Sequence, residues 1–217
     1  MKRALLAEAL GTAILVTAVV GSGIMADKLS GGNQALALLC NTIPTGAILV
    51  VLISIFAPIS GAHFNPAATL VFAFQGATPW QTALSYIVVQ CAGAIVGTAI
   101  AHVMFDLAPL AIGTTPRSGA GQWLGEAVAT FTLLLVILGG VRHAPQSVPW
   151  LVGLTITAAY WFTSSTSFAN PAVTLARGFT TTFAGIALNH VPGFVFAQLV
   201  GAAAGAVAAR ILFRPPG

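Results

Sequence analysis

Two stretches of the sequence differ by a single letter, NPAATL at residues 65–70 and NPAVTL at residues 170–175. Asn is a preferred helix N-cap and Pro suits the first helical position, so each phrase predicts the start of a helix. The apolar segments that begin there cover about 65–75 and about 170–180. A helix of about ten residues reaches about 15 Å, roughly half of a bilayer core, so neither segment can cross a membrane alone.

The rest of the chain has the composition of an integral membrane protein. Of its 217 residues, 57% are hydrophobic and only 6% are charged. No Lys, Arg, Asp or Glu occurs in residues 29–105, 143–176 or 178–209. Spans of about 20 apolar residues cross a bilayer as helices, and the polar-apolar alternation of a membrane β-barrel is missing. The composition predicts a helical bundle in contact with membrane lipid and gives no support to nucleic-acid binding.

Six apolar segments are long enough for full crossings. These predicted spans are 4–26, 35–57, 80–105, 123–141, 149–168 and 191–213. The two short Asn-Pro segments lie outside them, and non-helical backbone at membrane depth is tolerated only inside protein or along a wet cavity. We therefore expect two re-entrant half-helices that line a polar path.

The chain is predicted to be a single transmembrane channel domain, residues 1–217, built from an internal repeat. AEALGTAILV (7–16) matches GEAVATFTLL (125–134), which divides the chain into a first half, 1–112, and a second half, 122–217. Each half contains three full crossings and one half-crossing. Because three is odd, the second half enters from the opposite face, and the repeat is inverted.

Charged and small residues recur at equivalent positions of the repeat and are expected to be structural. Glu8 and Glu126 are expected to brace the irregular loops before the half-helices, with a proton relay as the alternative. Gly-xxx-Gly pairs allow helices to approach closely, and they occur in QCAGAIVG and QLVGAAAG as Gly93, Gly97, Gly201 and Gly205.

Inverted insertion brings the N-termini of the two half-helices together near the bilayer midplane. Each N-terminus carries about half a positive charge and unpaired N–H groups, and the asparagines add amide donors. The predicted midplane site consists of Asn65, Pro66, Ala67, Asn170, Pro171 and Ala172. A solute hydroxyl finds donors there, whereas a cation or proton meets a positive barrier. We therefore expect a narrow pore for small neutral solutes.

At this point the sequence resembles a known family. SGAHFNPA (60–67), the second NPA phrase, the two glutamates and the repeat resemble the aquaporin and aquaglyceroporin family over essentially the whole chain. The resemblance implies an all-α membrane protein with six transmembrane helices and two re-entrant half-helices. It also implies homotetramers with one pore in each subunit. No enzymatic activity or cofactor is expected, and the histidines show no metal-ligand spacing.

The residue after the second NPA phrase departs from the family pattern. Family members that conduct water usually have Arg there, and this chain has Val173. Counting from each NPA phrase gives Thr45, Ala158 and Ser167 as the other filter positions. Val and Ala in place of Arg and His remove bulk, charge and donors, so we expect a filter wider and less polar than a water filter. Thr174 stands where glycerol facilitators usually have Asp.

The stretch NPAVTLAR (170–177) resembles a bacterial subgroup often encoded beside arsenic-resistance genes. That resemblance implies passage of neutral arsenite, As(OH)3, and of methylated arsenicals. A general pore for polyols and water is the alternative, because a filter fixes solute size and polarity better than identity. An ordinary water-selective channel and an ion-coupled secondary transporter are further alternatives.

Two residues near the NPA phrases are expected at the ends of the pore. His63 precedes the first phrase and is expected to line the cytoplasmic vestibule. Arg177 lies about one turn beyond Val173 and nearer the outer surface. It either guards the mouth or caps helical carbonyls, and the structural role is favoured.

Basic residues flank the predicted spans unevenly. Lys28 and Arg117 lie on one side of the membrane, and the positive-inside rule assigns the other side, with both termini, to the cytoplasm. The expected location is the inner (plasma) membrane. The basic residues of that cytoplasmic side are Lys2, Arg3, Arg142, Arg210 and Arg214.

Overall fold

The computed structural model describes residues 1–213 as helices joined by loops. Arg214, one of the basic residues that predict a cytoplasmic C-terminus, lies outside the described residues. The helices are α1 (Lys2–Leu29), α2 (Gln34–Ser60), α3 (Pro66–Phe74), α4 (Trp80–Met104), α5 (Ala120–His143), α6 (Val148–Phe162), α7 (Pro171–Arg177) and α8 (Val191–Leu212). Short 3-10 turns, Pro145–Ser147 and Leu188–His190, precede α6 and α8. The predicted all-α membrane fold is confirmed.

The long helices differ from the predicted spans at one place. Within residues 1–213, five helices are long and apolar enough to cross a membrane: α1, α2, α4, α5, and α8 with its 3-10 turn. Helix α6 has 15 residues and ends at Phe162, whereas the predicted span continued to residue 168. Residues 163–169 are irregular and mostly buried. Five of these seven residues are Ser or Thr, so the stretch is uncharged but polar, and it forms the approach to α7 rather than the end of a membrane helix.

The two halves use the same order of elements and the same packing. Helices α1 and α4 pack together in the first half, and α5 and α8 pack together in the second. In both halves glycines of the later helix press against carbonyls of the earlier one: Gly93 and Gly97 on Ala9 and Ala13, Gly201 and Gly205 on Ala127 and Phe131. A Cβ at any of these glycines would collide with that backbone, which is why the helices approach so closely.

The half-helices α3 and α7 join the two halves. Helix α3 contacts α8, α7 contacts α4, and α3 and α7 contact each other. Both begin as predicted, with Asn at the N-cap and Pro at the first helical position. Helices α2 and α6 pack against each other between the halves. This crossed packing encloses a cavity between the two halves.

Candidate functional site

The two half-helices meet at their N-terminal ends through their asparagines. Asn65 Nδ2 donates to the carbonyl of Ala169 at 2.8 Å, and Asn170 Nδ2 donates to the carbonyl of Phe64 at 2.8 Å. Each Oδ1 accepts from the backbone N–H two residues later, at 2.9 Å in α3 and 3.0 Å in α7. A carboxamide carries two N–H donors, so within residues 1–213 these bonds leave one donor on each asparagine.

The backbone enters each half-helix in an unusual conformation. Ala62 and Phe64 have φ values of 50° and 47°, and the equivalent Ser167 and Ala169 have 50° and 48°. Residues other than glycine adopt this left-handed region at an energetic cost and need support from their surroundings. The two approach loops therefore share one strained geometry, and buried side chains hold it.

A buried glutamate supports each approach loop. Glu8 on α1 accepts from the backbone N–H groups of His63 and Phe64 at 2.9 and 2.7 Å. Glu126 on α5 accepts from the two residues before Asn170, at 2.8 and 2.9 Å. These charge-assisted bonds satisfy backbone donors that the loop conformation leaves without a helical partner.

A glutamine and a threonine complete each support, and the sequence analysis missed them. Gln90 Nε2 donates to Glu8 at 2.7 Å and to Thr69 Oγ1 at 3.0 Å. In the second half Gln198 makes the same two bonds, to the equivalent carboxylate at 2.6 Å and to Thr174 at 2.7 Å. A signal was present, because the glutamines begin the two matching phrases and the threonines belong to the NPA phrases.

A long cavity passes the two asparagines between the halves. Its apolar wall consists of side chains four residues apart on single helix faces, for example Val148, Val152, Ile156 and Tyr160 of α6. Twelve residues of helix extend about 18 Å, so this stripe alone follows much of a bilayer core. The approach loops with Asn65 and Asn170 also line the cavity. Its lining thus combines apolar side chains with hydrogen-bonding groups.

Three of the four predicted filter residues line this cavity, namely Thr45, Ser167 and Val173. The prediction for Ala158 is wrong, because that residue is exposed on α6 and is not among the lining residues. Two helical residues rotate the side chain by about 200°, which separates position 158 from the lining stripe. Tyr160 belongs to that stripe, and its hydroxyl lies 3.4 Å from Thr45 Oγ1.

The predicted vestibule residues also line the cavity. His63 lies 3.1 Å, Nδ1 to Oγ1, from Thr69. Arg177 is only 2% exposed, although it was expected nearer the outer surface. Its Nε donates to the carbonyl of Ala184, and its guanidinium carbon lies 3.3 Å from the centre of the Phe168 ring. The sequence left open whether Arg177 faces the pore, and the structure gives it a place in the cavity wall.

A second arginine lies close by in the loop between the halves. Arg117 Nε donates to the carbonyl of Gly185 at 2.9 Å, and its guanidinium carbon is 5.3 Å from the Phe168 ring centre. Burial lowers the pKa of Arg117 from its ordinary value. Arg117 does not line the cavity.

Within the described residues there is no group of three or more His, Cys, Asp and Glu that could hold a metal ion.

Oppositely inserted half-helices that meet within a long cavity define a membrane channel. The sequence profile of the Major intrinsic protein family matches residues 1–160, and the chain belongs to that family. The predicted resemblance to aquaporins and aquaglyceroporins is confirmed, and the protein is a passive channel rather than an enzyme.

Individual relatives agree with this assignment. The chain is 58% identical to "Aquaglyceroporin AqpS" of Rhizobium meliloti (strain 1021), over 99% of this chain and 92% of the relative. It is 33% identical to "Probable glycerol uptake facilitator protein" of Thermotoga maritima, over 70% of each protein. The fold is similar to the X-ray structure of the aquaglyceroporin from Plasmodium falciparum, with a TM-score of 0.73, 21% identity, and coverage of 97% of this chain and 94% of that one.

Proposed function

We propose that this channel conducts water and small neutral polyols of glycerol size, and that arsenite and methylated arsenicals pass by the same cavity. The observation that carries the proposal is Val173, an uncharged residue of moderate size, in the wall where water-conducting relatives usually have Arg. The names of the relatives, an aquaglyceroporin and a glycerol uptake facilitator, support solutes larger than water. The arsenical part rests on the resemblance of NPAVTLAR to the arsenic-associated subgroup.

The mixed lining of the cavity fits such solutes. A polyol can place its carbon backbone against the apolar stripes of α2 and α6 and its hydroxyls against the approach loops. The free amide donors of Asn65 and Asn170 replace hydrogen bonds that the solute leaves behind in water. Arsenite, an uncharged molecule with three hydroxyl groups, makes the same kind of contact. We therefore assign the midplane site to Asn65, Pro66, Ala67, Asn170, Pro171 and Ala172.

The filter that we propose differs from the sequence-based one by a single exchange. Thr45, Ser167 and Val173 remain, and Tyr160 replaces Ala158 because it is buried and lies beside Thr45. This set combines hydroxyl groups with one aliphatic side chain. Such a filter tolerates both a hydroxyl and a carbon surface, which suits polyols better than an arginine filter does.

Ion exclusion is assigned to the paired N-termini. Both half-helices direct their positive dipole ends at the cavity, and the Oδ1 acceptors of both asparagines are occupied by their own helices. A cation that loses its hydration shell meets amide donors and the positive ends of two helix dipoles there. The same argument opposes an ion-coupled transporter, which needs a coordinating site for its driving ion.

Arsenite uptake into proteoliposomes tests the proposal. The protein is reconstituted into the vesicle membrane, and all H⁺ and Na⁺ gradients are abolished with ionophores. We expect uptake to equilibrate faster than in empty vesicles and to be unchanged when an ion gradient is restored. Uptake that needs a gradient would contradict a passive channel, and water flow without arsenite or glycerol flow would favour the water-selective alternative.

We further propose a homotetramer in the inner membrane with both termini in the cytoplasm. The basic residues at the ends of the predicted spans support this orientation. Exposed apolar faces, such as Leu84, Val88 and Val96 of α4, support contact with lipid or with neighbouring subunits. Native mass spectrometry from detergent tests the subunit number, and cysteine labelling of the termini in intact cells tests the orientation.

A further inference from the structure

Arg177 contains a buried nitrogen that the fold leaves unpaired. The side chain is 2% exposed and lines the cavity, and within residues 1–213 its Nη1 has no hydrogen-bond partner. Burying a charged donor without a partner is costly, so native structures normally provide one. The cavity is where such a partner can be found, and the molecules that occupy a channel are its solutes and water.

The rest of the guanidinium is fixed by its surroundings. Nε is tied to the carbonyl of Ala184, and the Phe168 ring covers the guanidinium. The loop after α7 is itself anchored, because the N–H of Ile186 donates to the carbonyl of Arg177 at 3.1 Å. An arginine that is held at Nε and against an aromatic ring keeps its Nη nitrogens at a fixed position. Arg177 is therefore preorganised, with the N–H donors of Nη1 still unused.

A second unused polar atom lines the same cavity. Ser167 is 2% exposed, and within the described part of the chain its Oγ has no hydrogen-bond partner. It directly precedes Phe168, the residue on which Arg177 rests. Two buried polar side chains, one cationic donor and one hydroxyl, thus line the same cavity as Phe168.

We propose that Arg177, assisted by Ser167, is a specificity-determining residue of the pore. Nη1 donates to an oxygen of a neutral solute as it passes, and the guanidinium charge repels cations. The role that Arg usually has directly after the second NPA phrase is then filled one turn further along α7, while Val173 keeps the intervening space open. This inference rests on the proposed passage of neutral solutes and adds the residue that selects them.

The test compares three variants in proteoliposomes. Arg177→Met removes the charge and the donor at similar length, and Arg177→Lys retains a charge without the planar fork. Arg117→Met is the matched control, because it removes an equal charge beside the same Phe168 ring from a residue outside the cavity wall. Proton leak under a potassium diffusion potential and the temperature dependence of glycerol permeability are measured for each.

We expect Arg177→Met to raise proton leak by at least about tenfold and Arg117→Met by less than about threefold. We expect both Arg177 variants to steepen the Arrhenius slope for glycerol, because a hydrogen bond to the solute is lost. Proton leak and slope that both stay at wild-type values in Arg177→Met would overturn the proposal and leave Arg177 a packing residue. If that variant does not fold, an unchanged glycerol slope in Arg177→Lys overturns it equally. Failure of the proposed function is separate, since it would appear as absent glycerol flux in the wild-type protein.

Discussion

At the residue scale, Asn65 and Asn170 each use both the oxygen and the nitrogen of the side-chain carboxamide. The oxygen of each caps its own half-helix, and the nitrogen reaches the loop that precedes the other one. This arrangement fixes which atoms face the cavity, because an amide rotated by half a turn would lose both contacts. Each asparagine keeps one N–H donor for a solute oxygen, and we propose that these donors, together with the helix dipoles, pass hydroxyl groups and exclude cations.

Asn170→Asp reverses that polarity at one position. In the wild-type protein the carbonyl of Phe64 accepts a bond from Asn170 Nδ2 at 2.8 Å. The new carboxylate places an oxygen against that carbonyl instead. We expect a higher cation leak, because an acceptor with negative charge replaces a donor, together with a lower melting temperature. Planar-bilayer conductance measures the leak. Asn41→Asp is the control, since Asn41 is buried between α1 and α2 and does not line the cavity. Equal leak in both variants would contradict the role of the cap.

Val173→Arg tests the width of the filter. The larger, charged side chain enters a cavity that already contains Arg177 one turn away. We expect glycerol and arsenite permeability to fall at least about tenfold more than water permeability, measured by stopped-flow light scattering. Val173→Leu separates bulk from charge and is expected to have a smaller effect. Equal loss of water and glycerol, or no loss of either, would refute the filter position.

At the element scale, the same support is built twice. A glutamate, a glutamine and a threonine from three separate helices hold each approach loop, and each loop presents its half-helix to the other. Both oxygens of each buried carboxylate therefore accept hydrogen bonds within the fold. This accounts for intramembrane glutamates without a proton relay.

Glu126→Gln probes one of these supports. In the wild-type protein the carboxylate accepts from two backbone N–H groups and from the Gln198 amide. In the variant an amide nitrogen, itself a donor, faces one of these donors. We expect a loss of about 1–3 kcal/mol in stability from an unsatisfied buried donor, seen as a lower melting temperature in detergent. Asp106→Asn, which removes an exposed carboxylate, is the control. A Glu126 variant as stable as the Asp106 variant would show that the support is dispensable.

The elements also show what the sequence could and could not provide. The long spans, the half-helices and their caps followed from apolar length and from Asn-Pro chemistry. The span at 149–168 was too long, because the absence of charge does not by itself indicate helix, and residues 163–168 are mostly Ser and Thr and form a buried loop. Ala158 was misplaced since counting back from Asn170 ignores the rotation of a helix. The glutamines and threonines recur in the repeat, but the groups that they bind, and the burial of Arg177, depend on contacts between distant helices.

At the scale of the whole molecule, the site exists only because two halves are combined. Each half supplies one cap, one approach loop and part of the apolar wall, and neither half encloses the cavity without the other. The head-to-head contact of the half-helices sums their positive ends at one point of the cavity. The selection by hydrogen bonding and the exclusion of cations that we propose are thus consequences of the repeat.

Stopped-flow measurement of glycerol entry into proteoliposomes tests most directly whether small neutral solutes pass between the paired asparagines. After mixing with a glycerol gradient, vesicles that contain the protein are predicted to shrink as water leaves and then to re-swell much faster than empty vesicles, with no ion gradient present. Rapid shrinkage followed by re-swelling at the rate of empty vesicles would contradict a polyol-conducting pore.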